Sequence, residues 1–275
     1  MLRNALYYLK YETIKTVMPL VRFLNLIHRP YDMNAEKYSE DQLLSLDHND
    51  HRAAFLKYLN NATFVKDKQD FLYSWIMPGK NDVVLECGSS SGKTCIDLSR
   101  RTGCYCLGVD FDPVAVEVAN EMRDKYFPDL KDKCYFKVGD LSNMRFDKDT
   151  SKVVMADFTE HIPDAVFAKI LANIKSQLPE VRLYIYTPAR SHIFEIMKRN
   201  NLILKAKSGH INVKTEKNLV FFLKKNGWKI TQIKWRPSHL PVFRNIELFL
   251  GHIPFVGIFF RRRIVIVATP DHAWP

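Results

Sequence analysis

The residues best suited to chemistry lie in one glycine-bearing loop and in the acids that follow it. The short apolar run Val83-Val84-Leu85-Glu86-Cys87 passes into Gly88-Ser89-Ser90-Ser91-Gly92-Lys93-Thr94. Glycine allows a tight turn and close approach of the backbone to a ligand. Three readings of the loop compete. A phosphate-binding GxxxxGK[ST] loop would end as this one does, in Gly92-Lys93-Thr94, but its first glycine would stand where the chain has Cys87. Gly88 comes one residue late, and the shortened loop would not bring its amides around a β-phosphate. A dinucleotide GxGxxG loop needs glycine at Ser90, where the backbone must meet a pyrophosphate. The third form is an acid followed by two spaced glycines, Glu86-x-Gly88-x-x-x-Gly92.

The downstream acids give the loop a context. Asp110 closes Leu107-Gly108-Val109-Asp110-Phe111-Asp112, about twenty residues beyond the loop. At that spacing a carboxylate can accept both hydroxyls of a ribose, since its two oxygens take hydrogen bonds side by side. Phe111 can pack on a nucleobase. Gly139-Asp140-Leu141 follows a third apolar run, and Asp157 closes a fourth, leading into Phe158-Thr159-Glu160-His161. An isolated aspartate after a strand is often only a cap or turn former, and Asp112 and Asp157 suit that simpler role. His161, His192 and His210 fall in loops after expected strands or at helix starts. Open α/β sheets bind their ligands outside the carboxyl ends of the strands, so these histidines are placed to face one.

The elements that must hold these residues can be read from periodicity. Strands are expected at Val83–Cys87, Tyr105–Asp110, Cys134–Val138, Val153–Asp157, Leu183–Thr187, Trp228–Trp235 and Ile264–Ala268. Helical runs lie between them at Lys93–Arg101, Pro113–Tyr126, Pro163–Gln177, His192–Arg199 and Glu216–Lys225. This alternation predicts βαβ units and a parallel sheet. Ahead of it stand a basic amphipathic helix over Asn4–Ile27, a polar stretch over Tyr38–Asp50, and helices over His51–Leu59 and Lys66–Ile76.

With Glu86-x-Gly88-x-Ser90-x-Gly92, Asp110, Asp140-Leu141 and Asp157 in this order, the chain resembles the class I S-adenosylmethionine-dependent methyltransferases, of the type 11-like kind. Their first motif is commonly [DE]-x-G-x-G-x-G, and only its middle glycine is changed here, to Ser90. The resemblance runs from about Lys66 to Thr269. It implies an α/β, Rossmann-like, seven-stranded, mostly parallel sheet with helices on both faces. It also implies S-adenosyl-L-methionine as cofactor. Gly88 and its loop neighbours Cys87, Ser90 and Gly92 would approach the methionine part, and Glu86 its ammonium group. Asp110 and Phe111 would take ribose and adenine, and Asp140 and Leu141 the adenine amino group and ring. Asp157 through His161 would lie beside the transferable methyl group. His161 is then the first candidate for a catalytic base and His192 the second.

Composition bounds the rest. The chain has 275 residues, of which 47% are hydrophobic, so it can bury a real core. Its formal net charge of +11 favours anionic partners: nucleic acid, an anionic membrane surface, or a phosphorylated acceptor. The five cysteines, an odd number without disulfide-like spacing, suggest a reducing compartment. Cys104 and Cys106 would share one face of a strand, but further zinc ligands at suitable spacing are missing, and no metal is expected. The N-terminus lacks a secretory signal pattern, and the expected location is cytoplasmic, with contact at the membrane surface. Residues 1–65 are expected to form a helical cap, and 66–275 the methyltransferase domain. An apolar, basic insertion at about 237–262 would bind the acceptor or touch a membrane. The acceptor is expected to be a small molecule, a glycan precursor or a lipid-linked compound. An RNA methyltransferase and a non-catalytic cofactor-binding subunit are the alternatives.

Overall fold

The structure is a computed structural model that describes residues 51–200, 202, 204 and 209–273. The helix expected over Asn4–Ile27 and the polar stretch after it lie outside the described residues. Two helices lead in: α1 (His51–Leu59) and α2 (Thr63–Ile76). Helix α2 runs continuously across the boundary expected at 65/66.

Then strand and helix alternate: β1 (Val83–Cys87), α3 (Lys93–Thr102), β2 (Tyr105–Asp110), α4 (Pro113–Tyr126), β3 (Cys134–Val138), β4 (Thr150–Ala156), α5 (Asp164–Gln177), β5 (Arg182–Pro188), α6 (Ile193–Arg199), α7 (Glu216–Lys225), β6 (Trp228–Arg236), α8 (Pro241–Leu250) and β7 (Arg263–Pro270). The seven strands form one sheet in the order β3-β2-β1-β4-β5-β7-β6. β1 to β5 pair in parallel, whereas β7 runs antiparallel to both β5 and β6.

The central strands are apolar on both faces because both are covered. Leu85 and Cys87 of β1 and Val153 and Met155 of β4 enter a core with α5 and α7. Val84, Val154 and Ala156 point to the opposite core, with α1, α2, α3 and α4. All five cysteines are free and buried. The Cys104 and Cys106 sulfurs lie 3.5 Å apart where the chain enters β2, on one side as alternation predicts.

Strand order reverses between β1 and β4, and in open sheets a crevice opens there at the carboxyl ends. The loops after β1, β2, β3 and β4 surround that point. Helix α8 was not resolved by periodicity. It starts on Pro241, whose ring presets the first helical turn, and stops at Gly251.

Candidate active site

The loop after β1 turns sharply because two of its glycines adopt left-handed backbone. Gly88 has φ +69°, and a Cβ there would stand 2.5 Å from the Phe158 ring. Gly92 has φ +76° and precedes α3, and a Cβ there would stand 2.4 Å from Phe136. Ser90, in the place of the family's middle glycine, also has positive φ, 48°. Two contacts hold it in that costly conformation. Its N–H donates to Asp110 Oδ2 at 2.7 Å, and its hydroxyl meets His51 Nδ1 at 3.0 Å.

The loops enclose a cavity of about 340 Å³. Glu86, Gly88 and Ser90 line it from β1, Asp110 and Phe111 from β2, Asp140 and Leu141 from β3, and Asp157 and His161 from β4. Sequence order thus brings nine of the expected residues together. Three others are not in the lining. Cys87 is fully buried in the core beneath the loop, because strand alternation turns it away from Glu86. Gly92 serves the turn into α3. His192 is a correction: it is a buried structural residue. Its Nδ1 accepts the Phe194 N–H at the start of α6, and its Nε2 lies 3.1 Å from Glu247 Oε1 on α8. One ring nitrogen caps α6 and the other ties the insertion to the domain.

Three electrostatic features define the cavity. Burial pushes the Glu86 carboxyl up to about 7, against hydrogen bonds from Thr94 and Cys95 and the charge of Lys68. Burial also raises Asp110 above the usual carboxylate range, although the N–H groups of Ser90 and Asp112 oppose it. Asp157, at φ +58°, is clamped by Lys68 Nζ at 2.7 Å and Arg263 Nη1 at 2.5 Å. Burial works against the Lys68 ammonium, yet Asp157 outweighs it and the lysine ends above its ordinary value. Behind this pair Glu160 is fully buried. Burial and then the charge of Asp157 push its carboxyl up to about 8.

Sequence reasoning missed His51 and Lys68, which line the cavity from α1 and α2. Lys68 meets Asp157 across 89 residues of chain, and no local pattern announces such a pair. His51 also reaches Asp112 Oδ2 at 3.1 Å. Asp112 itself is the N-cap of α4, its Oδ1 accepting the Val114 N–H at 2.9 Å.

The Glu86 shift has a consequence for stability. Its folded pKa lies above the usual value of 4.5. Its contribution is therefore complete below pH 4.5 and is lost as pH rises through about 7. Without ligand, wild-type protein is expected to lose about 3 kcal/mol over that window relative to Glu86→Gln, at about 1.4 kcal/mol per pKa unit. Glu160 adds a loss of the same sign to both proteins, so the difference isolates Glu86. Parallel denaturant curves for the two proteins from pH 4.5 to 7.5 would refute this.

Residues 84–180, the run from β1 through α5, match the methyltransferase domain family. The fold is similar to geranyl diphosphate C-methyltransferase from Streptomyces coelicolor A3(2), with 14% identity, 89% of this chain and 92% of that chain covered, and a TM-score of 0.55. It is also similar to magnesium protoporphyrin IX methyltransferase from Synechocystis PCC 6803, solved with bound S-adenosylhomocysteine (15% identity, 74% and 83% covered, TM-score 0.55). A third likeness is to mitomycin 7-O-methyltransferase (15% identity, 82% and 60% covered, TM-score 0.56). Identities this low speak for the fold, and the domain match covers the strands and loops that build the cavity. Residues 84–180 thus match a methyltransferase domain, and the chain has the fold of the S-adenosylmethionine-dependent methyltransferases to which it is similar.

Proposed function

We propose that the cavity holds S-adenosyl-L-methionine along the ends of β1, β2 and β3, and that a small-molecule or lipid-linked acceptor receives the methyl group beside His161. The observation that carries this reading is that residues after four successive strands line one cavity. Its volume suits a cofactor of this size. Glu86, a buried carboxylate facing the cavity, suits the methionine ammonium, and binding a cation would lower its raised pKa. Asp110 still has free lone pairs on both oxygens for the ribose. Phe111, half exposed, offers its ring to adenine, and Asp140 and Leu141 line the same cavity. The Asp157 carboxylate is committed to Lys68 and Arg263, so it serves the cofactor by fixing that corner of the cavity.

Bound there, the cofactor supplies a methyl group on a sulfonium, already an excellent leaving group. The protein therefore contributes mainly position. Orientation is worth about 7–11 kcal/mol and proton removal about 10²–10⁴-fold. The structural neighbours named above act on, or bind, geranyl diphosphate, magnesium protoporphyrin IX and mitomycin, which supports a small acceptor.

Asp110→Ala is expected to weaken S-adenosylhomocysteine binding by about 1.5–3 kcal/mol, the worth of hydrogen bonds to a charged group. Isothermal calorimetry on the folded variant tests this, and unchanged affinity would remove Asp110 from the site. ATP is expected to bind far more weakly than S-adenosylhomocysteine; the reverse order would favour the phosphate-loop reading.

The insertion supports the lipid-linked side of the proposal. Val242, Phe249 and Phe255 are 70%, 74% and 77% exposed, with Arg244 and Arg261 nearby in the chain. Apolar side chains this exposed and this close together in the chain suit a surface contact, and arginines add attraction to anionic headgroups. Among the described residues no helix is long and apolar enough to cross a membrane. The protein is expected to float with anionic liposomes and to be released by salt, with less retained on neutral ones. Absence of flotation on both would leave α8 as an acceptor lid.

A further inference from the structure

Beyond β4, where His161 borders the cavity, a second cluster includes none of the residues proposed to hold the cofactor. Glu160 and His161 follow β4, and His210 comes from the segment before α7. Each offers a ligand atom, and these atoms lie within 4.8 Å of one another. We propose that Glu160, His161 and His210 bind a divalent transition-metal ion, with a remaining coordination position open to an oxygen of the acceptor.

Four observations support it. First, Glu160 is fully buried, yet its Oε1 has no hydrogen-bond partner. A buried carboxylate oxygen without a donor is costly, and a cation is the strongest way to satisfy it. Second, its other oxygen is oriented: Thr187 Oγ1 donates to Oε2 at 3.0 Å, and Thr159 Oγ1 meets Thr187 Oγ1 at 3.1 Å. A hydroxyl relay behind a carboxylate is the kind of support that fixes a metal ligand.

Third, backbone and side-chain amides hold the two segments of the site together. The Asn212 N–H donates to the Glu160 carbonyl at 2.9 Å, and the Asn212 amide donates to the Ile162 carbonyl at 2.8 Å. His210 thereby stands against His161, their rings edge to face at 5.0 Å. Fourth, the neighbouring cations are committed to other acids. Arg263 pairs with Asp157, and Lys214 with Asp164 at 2.6 Å, so neither is bonded to Glu160.

Two imidazoles and one carboxylate suit zinc and similar borderline ions better than magnesium, which prefers oxygen ligands and retained water. Three protein ligands leave zinc a fourth position, and His161 borders the cavity. Resting on the methyltransferase reading, an acceptor hydroxyl bound there would lose its proton to solvent more readily. Its oxygen would form the new O–C bond as the S–C bond breaks, leaving S-adenosylhomocysteine. The acceptor class is then a compound that presents an oxygen nucleophile.

The test uses the full chain stripped with a chelator and titrated with Zn²⁺ alone, then with Mg²⁺, by calorimetry. One equivalent of Zn²⁺ is expected to bind, with Mg²⁺ much weaker. His161→Ala and His210→Ala should each weaken Zn²⁺ binding by at least 10-fold to 100-fold. S-adenosylhomocysteine affinity in the same variants should stay within about threefold of wild type, which also shows that they fold. His161 is only partly buried, so its variant spares the core. Co²⁺ substitution should give a spectrum of nitrogen and oxygen ligands without thiolate charge transfer. Failure to take up Zn²⁺, uptake unaffected by both histidine variants, or a thiolate spectrum would each overturn the site. Loss of S-adenosylhomocysteine binding by wild type would instead count against the cofactor reading and leave the metal result standing.

Discussion

Replacing His161 with alanine is expected to leave S-adenosylhomocysteine binding near the wild-type value and to lower methyl transfer by about 10²–10⁴-fold, the usual worth of a positioned proton acceptor. The argument is one of place. The residues proposed to hold the cofactor come from the ends of β1, β2 and β3, whereas His161 borders the cavity from beyond β4. Transfer of labelled methyl from S-adenosylmethionine into extracted small molecules and lipids measures it. Wild-type turnover in the variant would remove His161 from the reaction, and loss of cofactor binding would make it part of the cofactor pocket. His210→Ala separates two ways of acting. If His161 works alone as a base, His210→Ala should cost much less than His161→Ala, and raising the pH should partly restore His161→Ala. If the two share an ion, both variants should fall by a similar factor.

Asp157→Ala is expected to destabilise the fold by about 3 kcal/mol, toward the lower end of what removing one partner from a buried ion pair costs. Two cations depend on this one carboxylate. Lys68 and Arg263 come from opposite ends of the chain, and their side chains are 25% and 24% exposed. That residual exposure lets water repay part of the loss, hence the lower end. Alanine also takes the left-handed backbone of this position poorly. A second change that removes one orphaned cation, Lys68→Met, should recover part of the stability. Chemical denaturation of the three proteins measures this. An unchanged midpoint for Asp157→Ala would mean that the pairs contribute nothing net.

Both cases turn on contacts between residues distant in sequence, and there the sequence reading was weakest. Lys68 is one of several charges on its helix, and nothing local distinguishes it from Lys66, which makes an exposed pair with Asp70. His192 looked like a site residue because it follows β5 at the ligand-binding end of the sheet. Glu247, 55 residues later, claims it, and the insertion that carries Glu247 was legible only as an apolar, basic stretch. Cys87 ends β1 and Gly92 ends the loop after it, and nearness to a loop does not tell which side of a turn a residue faces.

What the sequence determined by itself was the local part. Apolar runs at strand length, helical spacing between them, and glycines where φ must be positive are consequences of backbone sterics and burial, which act within a few residues. They were sufficient for the seven strands, for the crossover helices, and for the acids that close β1 to β4. Only the tertiary structure decided which of those residues share a cavity, and which charge pairs with which. It alone brought Glu160, His161 and His210 within ligand distance of one another. The reason is physical: a side chain's partner is chosen by whatever the fold packs against it. The desolvation that raises Glu86 or leaves a Glu160 oxygen without a donor does not exist until the chain has closed around it.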